Sequence, residues 1–172
     1  MSHKHIVHID DIPSEPLPTP EGTSFGGLRQ RVGVAVGAQK LGYGLFTVPP
    51  GKTAFPIHVH TLNEELIHIL EGEGTLRFGD ETVAVRAGMF IACPGGVELS
   101  HQLVNTSDAD LRYLCVSTMQ YPDIVHYPDS GKVGVYAGPG VSSQKPFRGI
   151  YKKGTEVPYF QDETGPEGGK RS

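Results

Sequence analysis

Four side chains in the middle of this chain could hold a metal ion together. His58 and His60 flank Val59. On a strand, residues i and i+2 share a face, so both imidazoles project the same way. Glu65 follows five residues later at the start of an apolar run, and His101 lies in a later run just past Pro94-Gly95-Gly96. Three imidazoles and one carboxylate make a mixed nitrogen and oxygen ligand set. Such a set suits Fe, Mn, Ni, Cu, Co or Zn far better than Ca or Mg. Positions left open on such an ion would serve a substrate, water or O₂.

These residues must be held by strands. Residues 41–119 are dense in β-branched and aromatic residues punctuated by glycine. They read as short strands at 43–48, 56–60, 65–71, 74–78, 82–86, 89–93, 100–105 and 111–118. Gly72-Glu73-Gly74 and Phe78-Gly79-Asp80-Glu81 stand where hairpin turns are expected. Pro49-Pro50-Gly51 and Pro94-Gly95-Gly96 are strand stops. Eight or so short antiparallel strands in about eighty residues predict an all-β domain, a small barrel or a double-sheet jelly roll. Around this core, 1–40 reads as an N-terminal arm with strands packing on the barrel. Residues 120–160 read as a C-terminal extension packing on the barrel or a dimer partner, and 161–172 as a flexible tail.

Composition narrows the function. The chain has 172 residues, the size of one domain. Its 23 glycines and 14 prolines, about a fifth of the sequence, disfavour a helical bundle. A formal charge of −4 gives no global attraction to nucleic acid or anionic lipid. No apolar run approaches the roughly 20 residues that span a bilayer, and the polar opening is no signal peptide. Two cysteines, Cys93 and Cys115, are too few for a secreted disulfide scaffold. The expectation is a cytoplasmic protein with reduced, buried thiols and no nucleic-acid or membrane partner.

The spacing carries a further reading. The chain runs Gly51-x6-His58-x-His60-x4-Glu65-x6-Gly72, then Gly88-x5-Pro94-x-Gly96-x4-His101-x3-Asn105. These strings resemble the two signature motifs of the cupin superfamily. The first has one extra residue after Gly51, and the second has four residues between Gly96 and His101 where the family usually has two. The resemblance covers roughly residues 43–118 and implies a cupin double-stranded β-helix binding one divalent transition metal through His58, His60, Glu65 and His101. Pro49-Pro-Gly-Lys, Asn63-Glu-Glu, Asn105-Thr-Ser-Asp and Tyr127-Pro-Asp-Ser-Gly-Lys-Val-Gly-Val are similar to a bacterial single-barrel group. Some members of that group carry a sugar-phosphate isomerase label. The resemblance also implies a homodimer.

Parity sorts the neighbours. Only one of Glu64 and Glu65 can face inward, and the step to Gly72 favours Glu65. His68, three residues on, belongs to the opposite face. His3, His5 and His8 fall in what reads as a mobile leader, and His126 lies beyond the barrel. The substrate pocket is expected to draw on Phe55, Tyr43, Phe90, Gln102, Asn105 and Tyr113, with Ile67 and Ile69 filling the barrel. Tyr43 and Tyr113 are candidate proton donors, and no side chain stands out as the catalytic base. Arg29, Arg31 and Lys40 read as a solvated face, with an anion clamp as the alternative. The leading function is a metal enzyme acting on a small oxygen-bearing molecule by isomerase, dioxygenase or lyase chemistry. The alternatives are a small-molecule sensing cupin without turnover and a structural cupin. The missing helix-turn-helix pattern argues against direct DNA action.

Overall fold

The structure is a computed structural model that describes residues 3–96, 98–138 and 147–164. In chain order the strands are β1 (Ser14–Pro16), β2 (Leu28–Gln30), β3 (Leu41–Val48), β4 (Val59–His60), β5 (Glu65–Glu71), β6 (Glu73–Phe78) and β7 (Glu81–Arg86). They continue with β8 (Phe90–Cys93), β9 (His101–Val104), β10 (Leu111–Thr118), β11 (Asp123–Tyr127), β12 (Lys132–Tyr136) and β13 (Arg148–Lys152). One helical turn, α1 (Val32–Ala35), separates β2 from β3. Eight strands, β3 to β10, fall where the alternation predicts them. β4 is shorter than expected. It begins after Pro56, which has no N–H to donate, and His58 instead makes an isolated bridge to His101.

The strands form three antiparallel sheets. Their orders are β1-β2-β3-β10-β5-β8, β13-β12-β11-β4 and β7-β6-β9. The apolar core lies between them and includes Phe46, Val48, Ile67, Ile69, Leu76, Val85, Leu103, Leu111 and Tyr113. The flanks extend the sheets: β1 and β2 add to the β3 edge, and β11 pairs with β4. The opening segment is tied down as well. Gln30 Nε2 donates to the carbonyls of Ile9 and Ile12, and His5 Nδ1 lies 2.9 Å from the Val36 carbonyl. The leader expected to be mobile therefore packs on β2 and α1 from His5 onward. Much of the expected C-terminal tail, from residue 165, lies outside the described residues.

The turn expected at Gly72-Glu73-Gly74 is a corner rather than a hairpin. β5 pairs with β10 and β8, while β6 pairs with β7 and β9, so the chain crosses from one sheet to another at Gly72. Gly72 has φ +80°, and a Cβ there would meet the Asp110 carbonyl oxygen at 2.4 Å. Only glycine fits such a corner.

Asn105 holds the loops at one end of the barrel and does not line the pocket, contrary to expectation. It is fully buried. Its Nδ2 donates to the carbonyls of Val48 and Ala109, both at 2.7 Å, and its Oδ1 accepts from Ser107 N and Oγ. Asn105→Ala leaves these buried groups unanswered. The expected cost is about 2–4 kcal/mol, read as a lower urea midpoint with metal uptake unchanged. A variant that instead loses metal at wild-type stability returns Asn105 to the site.

Candidate metal centre

The site lies where three strand pairings meet. His58 and His101 stand directly opposite each other, exchanging backbone hydrogen bonds of 3.1 and 2.8 Å, with ring centroids 4.6 Å apart. His60 sits on β4 against Val125 of β11. Glu65 opens β5 between Ser117 of β10 and Cys93 of β8. Residues separated by up to 43 positions thus face one another.

The ligand atoms converge on the Glu65 carboxylate. His101 Nε2 lies 2.9 Å from Oε2, His58 Nε2 lies 3.7 Å from the same oxygen, and His60 Nε2 lies 4.0 Å from Oε1. One atom each from His58, His60 and Glu65 falls within 4.8 Å of the others. His101 joins this trio through its contact with Glu65. Burial alone would raise the Glu65 pKa. Hydrogen bonds from His101 and His58, with the charges of His58 and His60, hold it well below the usual carboxylate range.

The outward ring nitrogens are answered at two of the three histidines. His58 Nδ1 donates to the Pro56 carbonyl at 2.8 Å, and His60 Nδ1 donates to Asp123 Oδ2 at 2.5 Å. A carbonyl or carboxylate only accepts, so Nδ1 carries a proton and Nε2 is the nitrogen left for a metal ion. This is the second-layer arrangement usual for metal-ligating histidines. His101 Nδ1 is buried without a partner among the described residues. The donor set and the two fixed tautomers fit a divalent transition ion.

Asp123 is the residue that sequence reasoning missed. It is 2% exposed, and it also accepts from Asn63 Nδ2 at 2.8 Å and Leu62 N at 3.1 Å. Its burial opposes ionisation, but hydrogen bonds from His60, Asn63 and Leu62 lower its pKa. Asn63 in turn accepts from Thr118 Oγ1 and Gln120 N. The signal for Asp123 was faint: a lone carboxylate opening an apolar run, 63 residues after His60.

A cavity of about 480 Å³ surrounds the centre, within the range of small-molecule sites. Of the expected pocket residues, Phe55, Gln102 and Tyr113 line it. Gln102 is fixed: its Nε2 donates to the Phe55 carbonyl, and its Oε1 accepts from Arg77. Tyr113 stacks on Phe46 at 5.2 Å, and burial, then the nearby Cys115 and Glu65, pushes its phenol up. Burial followed by the charge of Glu65 likewise raises Cys93 to about 12 and Cys115 well above its ordinary value. Tyr121 from the β10–β11 connection, Tyr127, Tyr136 and Arg148 from the C-terminal strands, and Arg29 from β2, also line the cavity.

Besides Asn105, two expected pocket residues lie outside this cavity. Phe90 is 65% exposed and stacks on His68 at 3.9 Å on the outer face. Its neighbours Ile91 and Cys93 take the inner positions. The run Phe90-Ile-Ala-Cys93 is apolar on both parities, so sequence alone could not orient it. Tyr43 has the parity opposite to Gly42 and Gly44, whose partners Ser117 and Cys115 line the cavity. It lines instead an adjoining cleft beside α1, where a Cβ on Gly33 would meet its backbone N at 3.0 Å. Glu64 is exposed.

Residues 44–117 match the family described as Cupin domain. A proposed sugar phosphate isomerase from Acidithiobacillus ferrooxidans superposes with a TM-score of 0.77 at 22% identity, covering 90% of this chain and 96% of that one. A sugar phosphate isomerase of the cupin superfamily from Silicibacter pomeroyi gives 0.76 at 23%, covering 90% and 97%. A predicted oxalate decarboxylase from Thermotoga maritima gives 0.58 at 24%, covering 67% and 99%. No curated protein is a significant match to the sequence. Among the described residues no helix is long and apolar enough to cross a membrane. The barrel strands, their order and the matched residues lead to one conclusion: residues 44–117 match the Cupin domain family, and the chain has the all-β cupin fold.

Proposed function

We propose that the chain is a metal-dependent enzyme acting on a small, oxygen-bearing organic molecule, with His58, His60, Glu65 and His101 holding one divalent transition ion. The observation that carries this reading is the convergence of three Nε2 atoms on the Glu65 carboxylate, with the Nδ1 protons of His58 and His60 turned outward to Pro56 and Asp123. When bound, such an ion is a Lewis acid toward a carbonyl or hydroxyl oxygen. The chain does the rest. Phe55 and Gln102 form a fixed wall of the cavity. Tyr113, kept protonated by its burial, offers a hydrogen-bond donor to the bound molecule. Isomerase, dioxygenase and lyase chemistry all fit this ligand set. Isomerisation is the reading carried in the names of the two relatives that match the chain over nearly its whole length.

A homodimer belongs to the same proposal, since Leu66, Met89 and Phe90 leave apolar surface exposed at the β5–β8 edge. Elemental analysis of untagged protein is expected to find about one equivalent of Fe, Mn, Ni, Zn, Co or Cu per chain. Light scattering of the same sample is expected to read two chain masses. Turnover of hydroxy- or oxo-substituted small molecules should stop on chelation and return on reloading. Protein that is metal-free and refuses reloading overturns the enzyme reading in favour of a binding module.

A further inference from the structure

Arg29 faces inward, yet neither the fold nor the metal centre uses its charge. It pairs with Phe46 of β3, and Phe46 pairs with Tyr113 of β10, so the three side chains form one row on the inner face of the large sheet. Phe46 and Tyr113 are buried, and Arg29 lines the cavity beside them. Its Nε is buried without a hydrogen-bond partner among the described residues. The carboxylates nearest the cavity are engaged elsewhere: Glu65 by the imidazoles, and Asp123 by His60, Asn63 and Leu62. The arginines with carboxylate partners among the described residues are Arg77 and Arg112.

A guanidinium cannot shed its proton to escape this position. Its planar fork matches the oxygens of a carboxylate or phosphate. Arg31 and Lys40, by contrast, are exposed, as a solvated face requires. Of these three neighbouring cations, Arg29 alone lines the main cavity.

Arg29 and the Glu65 end of the metal centre border the same space. Beyond the Phe46 row, the inner face of β3 carries Gly44 opposite Cys115 and then Gly42 opposite Ser117, which faces Glu65. A Cβ on Gly44 would approach the Phe46 ring to 2.9 Å, and one on Gly42 would approach Met119 Sδ to 3.0 Å. Arg29 and Glu65 both line the main cavity and the adjoining cleft of about 340 Å³.

We propose that Arg29 is the anion-recognition residue of this cavity. The molecule it takes carries a carboxylate or phosphate group against the guanidinium. Its oxygen-rich remainder extends through the shared cavity toward Glu65. The assignment deepens the enzyme reading and rests on it for the far end of the molecule, but anion capture at Arg29 needs no metal.

The test is calorimetric titration of the full chain, stripped of metal, with inorganic phosphate and separately with oxalate. Wild type is expected to show one saturable site for at least one probe. Arg29→Gln weakens it at least tenfold, Arg29→Lys keeps part of it, and Lys40→Gln, outside both cavities, leaves it unchanged. Binding of phosphate alone assigns a phosphate ester, and binding of oxalate alone assigns an organic acid. If Arg29→Gln does not fold, the comparison rests on Arg29→Lys and on Arg29→Met, whose unbranched stem keeps the packing beside Phe46 but removes the charge. Wild type that binds neither probe, or an Arg29 variant that binds as wild type does, overturns the proposal. Elemental analysis of the same variants separates the two readings. Anion binding at Arg29 in a chain that never takes up metal would remove the enzyme reading and leave this one standing.

Discussion

Replacing His58 and His60 together by alanine is expected to abolish stoichiometric metal while the barrel stays folded. The two side chains supply two of the three inward nitrogens, leaving Glu65 and His101 as an incomplete set. Even an outer partner of a ligating histidine is worth about 10–100-fold in affinity, so losing two ligands costs more than that. The fold survives because neither side chain belongs to the apolar core, and the backbone exchange between residues 58 and 101 does not involve the side chain. Elemental analysis and circular dichroism of the double variant read the two quantities separately. A folded variant that keeps one equivalent of metal places the site elsewhere.

The second large effect is expected at Asp123. Asp123→Ala removes the acceptor for His60 Nδ1, Asn63 Nδ2 and Leu62 N from a position that is 2% exposed. Buried donors left without partners cost about 1–3 kcal/mol each when nothing replaces them. Asn63 Nδ2 retains the Gln120 carbonyl, so a net loss of about 2–4 kcal/mol is expected. Metal affinity should fall about 10–100-fold, because nothing then holds the proton on His60 Nδ1. Asp123→Asn separates the two roles. Its amide oxygen can still accept from His60 and Asn63, while its NH₂ then faces the Leu62 N–H. It should therefore retain more metal affinity than the alanine variant while still losing stability. Equal metal affinity in wild type and Asp123→Ala would show that Asp123 only braces the fold.

The sign of the pH effect follows from the lowered Asp123 pKa. The wild-type margin over Asp123→Ala is full above the ordinary carboxylate value of 3.8 and fades as pH falls through the lower folded value. Urea midpoints of both proteins at pH 7 and pH 3 measure it. A margin that grows on acidification contradicts the assignment.

Much of this protein was legible along the chain because its information is local. Strand alternation has a period of two, so His58 and His60 had to share a face whatever the rest of the chain did. Pro49-Pro50-Gly51 and Pro94-Gly95-Gly96 end β3 and β8 because proline cannot continue a ladder there. The same parity put His68 opposite Glu65, and His68 indeed stacks on the outer-face Phe90. Where both parities of a strand are apolar, as in β8, this local rule is silent, and Phe90 went to the wrong side.

What the sequence left open is long-range register. Gly72 reads as a turn residue from its neighbours, but only the Asp110 carbonyl, packed against it from 38 positions away, makes it a corner between sheets. Asp123 becomes the partner of His60 because β11 pairs with β4. Arg29 faces the cavity because β2 lays it opposite Phe46, while Arg31 two residues on stays in solvent. Local periodicity decides which residues share a strand face, so the barrel and the grouping of the metal-type side chains could be read directly. Which distant strand a segment joins depends on sheet closure and packing over the whole molecule. The polar surroundings that tune the centre and the cation that faces its cavity therefore emerged only in three dimensions.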